Sequence, residues 1–337
     1  MKRRVLMMAL ALWCAAVLAF AEGGRDGGKQ PVPVKALVIA MFEVGEFGGD
    51  FAGEFQHWYE RYFADAPAYE VRGLPNPLFI NKDGVAGTVA GMGKANAAAT
   101  LSVILSDPRF DFSKTYILGS GCSGMPPSRG TLGDVVWAYE LVDVDLGHSW
   151  AESDRSPGMT ATYLRSEGYD SSGYIILNEQ LVDWAVSVSR DVPLLDDPAA
   201  AAYRANYGPE EAAEKPSVRS GISLTGDNYW HGVNANKHAE EVVASYQPKT
   251  SYMVTQMEDN ALGVVAARFG KLDRLLVCRD VVNYDQPYAG ISVLESLDAS
   301  SGSFSIGMEN GFRVGSAVID ELVGNWGRWA DTIPGTN

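Results

Sequence analysis

Continuous apolar runs, rather than alternating ones, mark the clearest strands that the sequence predicts. Residues 36–41, 85–90 and 115–119 form such runs, and each leads through a turn, glycine-rich after the second and third, into the next segment. A strand that is apolar on both faces is typical of a sheet covered by helices on both sides. The repeated strand, turn and helix predict an α/β fold with a mixed, mostly parallel central sheet flanked by helices.

The rest of the chain continues this pattern as one domain over residues 35–337. Further strands are predicted at 135–144, 218–225, 251–254 and 275–279, and helices at 51–63, 95–106, 175–190, 257–269 and 314–326. Residues 194–216 are rich in alanine, proline and acidic residues, which indicates an insertion with a short helix. A chain of this length could also form two domains.

The N-terminus has the pattern of an export signal. Basic residues at positions 2–4 precede an apolar run, and the motif AFA at 19–21 fits signal peptidase cleavage. The run is about 16 residues long, shorter than the about 20 that span a bilayer, which argues against a retained anchor. A lipoprotein signal would use Cys14, but bulky Trp13 precedes it. We therefore predict a signal peptide at 1–21, a disordered leader at 22–34, and a periplasmic or secreted protein without stable membrane insertion after cleavage.

Charge and composition narrow the ligand class. The formal net charge is −15, which disfavours nucleic acid and anionic lipid and favours a small neutral ligand. Cys122 and Cys278 both lie in apolar runs, so two buried free thiols are a better interpretation than a disulfide. The four histidines show no metal-binding spacing. No metal and no cofactor are expected, although phosphate could serve as a co-substrate.

Five polar or glycine-rich segments lie at predicted strand ends, where α/β sheets bind ligands. Residues 91–94 (GMGK) and 119–124 (GSGCSG) could cradle an oxyanion or a sugar, or simply form tight turns. In 227–232 (DNYWHG) two aromatic side chains could stack a base, or fill the core. In 256–260 (QMEDN) a carboxylate could accept both hydroxyls of a ribose, or only stabilise a helix start. In 279–285 (RDVVNYD) polar side chains could meet a purine edge, or form salt bridges.

In this order the segments resemble the nucleoside phosphorylase-like fold of purine nucleoside phosphorylases, uridine phosphorylases and methylthioadenosine nucleosidases. Residues 41–43 (MFE), 119–124, 226–232 and 256–259 resemble the purine nucleoside permease (NUP) family more specifically. The resemblance implies ribose binding by Met257 and Glu258, base binding by Asn228, Tyr229 and Trp230, a sugar or phosphate loop with Gly93, Lys94, Cys122, Ser123 and Gly124, and catalytic positions at Asn283, Glu43 and Glu46.

Two departures from the enzymes bear on the reaction. The phosphorylases carry a phosphate-binding arginine before the Gly/Ser segment, whereas this chain has Ile117 and Leu118 there. Asn283 stands where many relatives have an aspartate, and an amide transfers protons poorly. The leading hypothesis is therefore a periplasmic purine nucleoside-binding protein linked to nucleoside uptake. The alternative is an enzyme that cleaves the N-glycosidic bond, as a phosphorylase or a hydrolase. The resemblance also implies a possible homo-oligomer.

Overall fold

The computed structural model describes residues 30–336, apart from residues 160, 166–167, 169 and 209. The predicted signal peptide and residues 22–29 of the predicted leader lie outside the described residues. Regular structure is already present before the predicted domain boundary at residue 35. Strand β1 (Val32–Pro33) pairs in parallel with β6 (Phe110–Asp111), and Val34 is buried.

One ten-stranded sheet forms the centre of the protein. Its strands are β2 (Ala36–Ala40), β3 (Ala68–Tyr69), β4 (Leu78–Ile80), β5 (Val85–Val89), β7 (Tyr116–Met125), β8 (Val135–Asp143), β11 (Tyr174–Ile176), β12 (Val218–Thr225), β13 (Tyr252–Gln256) and β14 (Leu275–Tyr284). A separate antiparallel pair joins β9 (His148–Ser149) and β10 (Tyr163–Leu164).

Five of these strands close into a barrel. The order is β8, β12, β13, β7 and β14, and the ring closes because β14 pairs with both β7 and β8. Among the described strands of the sheet, five pairings are parallel and five are antiparallel. The mixed α/β class is confirmed, but the expectation of a mostly parallel sheet was wrong. Closure needs antiparallel pairing of β13 with β7 and of β14 with β8, between segments far apart in sequence.

Helices pack around the sheet and bury its apolar strands. They are α1 (Gln56–Trp58, continued by a π-helical turn, Tyr59–Phe63), α2 (Lys94–Ser106), α3 (Asp170–Gly173), α4 (Glu179–Ser189), α5 (Pro198–Arg204), α6 (Glu210–Ala213), α7 (Val233–Ser245), α8 (Asp259–Arg268), α9 (Val293–Asp298), α10 (Phe304–Gly324) and α11 (Trp326–Trp329). Helix α10 packs on β7 and β14, and α2 packs on α8. No helix in the described part of the chain is long and apolar enough to span a bilayer.

Two strands continue through segments that the sequence analysis places beyond the ends of predicted strands. Strand β7 includes all of residues 119–124, and β14 continues through Asn283. The glycines in β7 do not form a turn. They allow other side chains to pack closely against the strand. A Cβ atom on Gly121 would lie 2.5 Å from Oε1 of Glu54 and 2.8 Å from Nη1 of Arg279. Only glycine leaves room for these two buried side chains against the strand.

Candidate functional site

A cavity with two adjoining chambers lies beside the barrel. The inner chamber has a volume of 210 Å³ and the outer chamber 530 Å³, and both are lined by Cys122, Tyr229 and Asn283. The inner chamber is otherwise lined by Met41, Phe42, Glu54, Met92, Ser123, Gly124, Thr255, Gln256, Met257, Glu258 and Arg279. The sequence segments at 119–124, 256–260 and 279–285 therefore meet at one site.

Glu258 is the best-placed hydrogen-bond acceptor of the inner chamber. It directly precedes α8 and is 3% exposed. Oε1 accepts a hydrogen bond from the Gly93 N–H at 2.8 Å, and Oε2 accepts one from Nη2 of Arg279 at 3.1 Å. Burial raises the pKa of Glu258, and these two partners act against that rise. A carboxylate offers about four lone-pair sites, so about two remain for hydroxyl groups of a ligand.

Arg279 lies behind Glu258 and is committed to partners inside the protein. It is 1% exposed, and its Nη2 donates to Oδ1 of Asp259 at 2.6 Å. Its Nη1 donates to the backbone oxygen of Cys122 at 3.2 Å. With two carboxylates around one guanidinium, the group carries a net negative charge. It therefore suits hydroxyl donors better than an anion.

Glu54 is a site residue that the sequence analysis did not single out. Its Oε1 accepts from the Cys122 N–H at 2.8 Å, and its Oε2 accepts from the Met41 N–H at 2.6 Å. Burial, together with the charge of Glu258, raises the pKa of Glu54 to about 7, although Arg279 opposes the rise. A carboxyl group with this pKa can exchange a proton at neutral pH. In the sequence Glu54 belongs to none of the five candidate segments and lies inside the predicted helix at 51–63.

Glu43 and Glu46, the predicted catalytic carboxylates, do not line the cavity. Both face a shallow groove on another side of the segment 42–53. The carboxylate of Glu43 accepts from the backbone N–H groups of Gly53 and Phe55. Because those residues flank Glu54, Glu43 fixes the chain that carries the buried carboxyl group. In this part of the chain the carboxyl group that lines the inner chamber is that of Glu54, eight residues after Glu46, and a catalytic role of Glu43 or Glu46 stays a prediction.

The side chains of the predicted base-binding segment line different cavities. Tyr229 lines both chambers, with 58% of the residue still exposed. Asn228 and Trp230 instead line a separate cavity of 320 Å³. Trp230 packs against the apolar cluster beneath α7. Tyr229 therefore faces the two chambers without Asn228 and Trp230, and base binding by those two residues stays a prediction that this arrangement does not favour.

Lys94 is held by carboxylates and does not line either chamber. Its Nζ lies 3.0 Å from Asp143 and 2.7 Å from Asp145. Arg129, a second cation that could hold a phosphate group, pairs with Glu240 at 3.3 Å. Both charges are already neutralised by internal partners. Phosphate binding by Lys94 stays a prediction that this pairing does not favour, whereas Gly93 donates its N–H to Glu258.

Of the remaining predicted residues, Cys122 and Asn283 line both chambers, whereas Ser123, Gly124 and Met257 line only the inner one. The side-chain amide of Asn283 donates to the Tyr284 backbone oxygen at 2.9 Å, which leaves one N–H and Oδ1 for a ligand. The Ser123 hydroxyl donates to the Asp280 backbone oxygen at 2.9 Å and joins β7 to β14. Cys122 and Cys278 are free thiols, and burial raises the pKa of both well above the usual range. Met257 lines the inner chamber beside Glu258.

Comparison with known families decides where this chain belongs. The family model described as purine nucleoside permease (NUP) matches residues 33–334. The chain belongs to the purine nucleoside permease family. A family relative, the probable purine nucleoside permease of Schizosaccharomyces pombe, is 31% identical over 265 residues, covering 71% of this chain and 76% of the relative. The purine nucleoside permease of Candida albicans is 30% identical over 256 residues, and the match spans 70% of this chain but only 63% of that relative.

Solved structures show the fold of the family. A 5′-methylthioadenosine/S-adenosylhomocysteine nucleosidase from Colwellia psychrerythraea, in complex with adenine, has a TM-score of 0.55 at 15% identity, over 87% of this chain and 96% of that chain. The futalosine hydrolase of Helicobacter pylori has a TM-score of 0.56 at 15% identity, over 86% of this chain and 98% of that chain. The nucleoside phosphorylase-like fold inferred from the motifs is therefore confirmed.

Proposed function

We propose that this protein binds a purine nucleoside and serves nucleoside uptake. The observation that carries the proposal is Glu258, a buried carboxylate with about two unused lone-pair sites that faces a chamber of 210 Å³. A ribose 2′,3′-diol supplies two adjacent hydroxyl donors for these two sites. The membership in the purine nucleoside permease family supports a purine nucleoside as the ligand.

The chamber geometry suggests how the nucleoside is bound. The ribose lies in the inner chamber, with its hydroxyls on Glu258 and its apolar face on Met257. The base extends toward the outer chamber, where Tyr229 provides an aromatic face and Asn283 provides an amide N–H and an amide oxygen. Both residues line both chambers, so both can contact a base that lies where the chambers meet.

We further propose that the protein acts in the periplasm or outside the cell. The basic residues and the apolar run at 2–20, followed by AFA, support export through a cleaved signal peptide. In that compartment the protein would capture the nucleoside and pass it on to a membrane carrier. This role requires binding and release but no chemical step.

Calorimetric titration of the purified chain with inosine, guanosine and adenosine tests the proposal. We expect at least one of them to bind, and Glu258→Ala to abolish binding while the unfolding midpoint in urea shows a folded protein. Glu46→Ala is the matched control, because Glu46 lies outside the cavity, and it should bind like wild type. If no purine nucleoside binds to the wild-type chain, the proposal is wrong.

Glu54 favours a second candidate function, hydrolysis of the N-glycosidic bond. In this reaction Glu54 takes a proton from water as the water oxygen bonds to C1′ of the ribose. The bond from C1′ to the base nitrogen breaks, and its electron pair leaves with the base, which takes a proton from solvent and is stabilised by the Asn283 amide. Because Lys94 and Arg129 are paired, the site favours water over phosphate as the nucleophile.

Chromatography of inosine incubated with the protein, with and without phosphate, separates these functions. Base release that does not depend on phosphate and disappears in Glu54→Gln supports hydrolysis. Release that requires phosphate would contradict the preference for water. Binding without release leaves the capture function alone.

A further inference from the structure

A second cavity lies behind the segment 226–232, outside the two-chambered site. We call it the distal cavity, and it is lined by Asp145, Ser149, Asn228, Trp230, Ala235 and His238, with a volume of 320 Å³. It lies between the end of β8, strand β9 and helix α7. None of these side chains has a role in the proposed nucleoside site.

His238 presents an acceptor nitrogen. The Thr162 hydroxyl donates to Oε2 of Glu241 at 2.8 Å, so its oxygen must accept the contact of 2.9 Å from Nδ1–H of His238. In the neutral ring Nε2 then carries a lone pair. Burial lowers the pKa of His238, which keeps the ring neutral at neutral pH, although Glu241 and Asp145 oppose this effect.

The other groups match a flat molecule with N–H donors. Oδ2 of Asp145 accepts from Nζ of Lys94 at 2.7 Å and from the Asp227 N–H at 2.8 Å, which leaves Oδ1 for a ligand. Trp230 provides an aromatic face, and Asn228 provides an amide that can both donate and accept. Planar heteroaromatic rings with N–H groups and ring acceptors, such as nucleobases, have this combination of features.

A chain of hydrogen bonds joins the distal cavity to the ribose-binding carboxylate. Asp145 holds Lys94, and the backbone N–H of Lys94 donates to Oδ1 of Asp227 at 2.8 Å. The preceding residue, Gly93, donates its N–H to Glu258. We propose that the distal cavity binds a free nucleobase and that its occupancy changes nucleoside affinity through Lys94 and Gly93. The coupling, but not the site, rests on the proposed function.

NMR of the Trp230 indole N–H, assigned with Trp230→Phe, tests the site with hypoxanthine as the probe. We expect hypoxanthine to shift this signal in the wild-type chain and in Glu258→Ala, which removes the ribose contact. Ala235→Trp places a large side chain from α7 in the distal cavity and should abolish the shift. Asn228→Ala removes one hydrogen-bonding group and should weaken hypoxanthine binding up to about tenfold. Absence of the shift in the wild type, or its persistence in Ala235→Trp, overturns the site.

The coupling is tested by titrating inosine into wild type and Ala235→Trp. We expect the inosine Kd to differ by at least about fivefold between the two proteins. Equal Kd values overturn the coupling. If inosine binds neither protein while hypoxanthine still shifts Trp230 in the wild type, the proposed function fails and the distal site stands.

Discussion

The contribution of Glu258 to nucleoside binding can be predicted from its hydrogen bonds. In Glu258→Gln the side-chain volume is kept, but the charge is lost and the new amide N–H group faces Nη2 of Arg279, itself a donor. Two ligand hydroxyls on an ionised carboxylate contribute about 1.5–3 kcal/mol each, against about 0.5–1.5 kcal/mol each on a neutral acceptor. The expected loss is about 2–3 kcal/mol, or about 30- to 150-fold in Kd.

The measurement is calorimetric titration of wild type, Glu258→Gln and the control Glu46→Gln with inosine and with 2′-deoxyinosine. Wild type should prefer inosine, and Glu258→Gln should lose most of that preference, because the missing hydroxyl no longer meets a charged acceptor. The control should match wild type with both ligands. Binding of inosine by Glu258→Gln within about threefold of wild type, far less than two charge-assisted bonds provide, would refute the assignment of the ribose to this carboxylate.

Three further predictions concern the fold around the site. Burial raises the pKa of Asp280 to about 7, so the folded protein binds a proton that the unfolded chain releases near pH 4, and stability falls as pH rises between these values. Asp280→Asn should remove the part of this fall that comes from Asp280, so that between pH 4 and pH 8 the variant loses up to about 4 kcal/mol less stability than wild type; an equal loss in both proteins, measured by urea unfolding at the two pH values, would contradict it. Gly121→Ala should lower stability in urea by about 1–3 kcal/mol, because its Cβ would collide with Glu54 and Arg279; an unchanged midpoint contradicts the packing. Inosine should slow alkylation of Cys122, the half-buried thiol of the cavity, in a mass-spectrometric time course, and an unchanged rate would place the ligand elsewhere.

The sequence predicted much of the local structure, because buried strands leave a strong signal. The apolar runs at 36–41 and 85–90 and the predicted strand at 218–225 correspond to β2, β5 and β12 with bounds that differ by one residue or none. Helix α7 (Val233–Ser245) was not predicted, because its sequence is mostly polar. The barrel could not be predicted either. Whether β14 pairs with β8 depends on contacts between segments far apart in the chain, and such contacts have no local pattern.

For the candidate site, the sequence predicted which residues take part better than it predicted the side to which each side chain points. Glu258, Met257, Tyr229, Cys122 and Asn283 were predicted and do line one cavity. The sequence does not reveal to which side of an extended segment a side chain points, so Asn228 and Trp230 were placed with Tyr229. It also does not reveal which of several nearby carboxylates folds inward, so Glu43 and Glu46 were chosen instead of Glu54.

Strand β7 gives the cavity a rigid wall. It is hydrogen-bonded to β13 on one side and to β14 on the other, and its residues 122–124 also line the inner chamber. All three residues pair with β14, and Gly124 also pairs with Thr255 of β13, so this stretch should exchange its amide hydrogens more slowly than the segments 42–54 and 226–232. We expect entry and exit of a ligand to depend on these two segments, which line or border the chambers and lie outside the sheet. Changes in ligand preference during evolution are accordingly expected in these segments, while the glycine-rich strand stays constant.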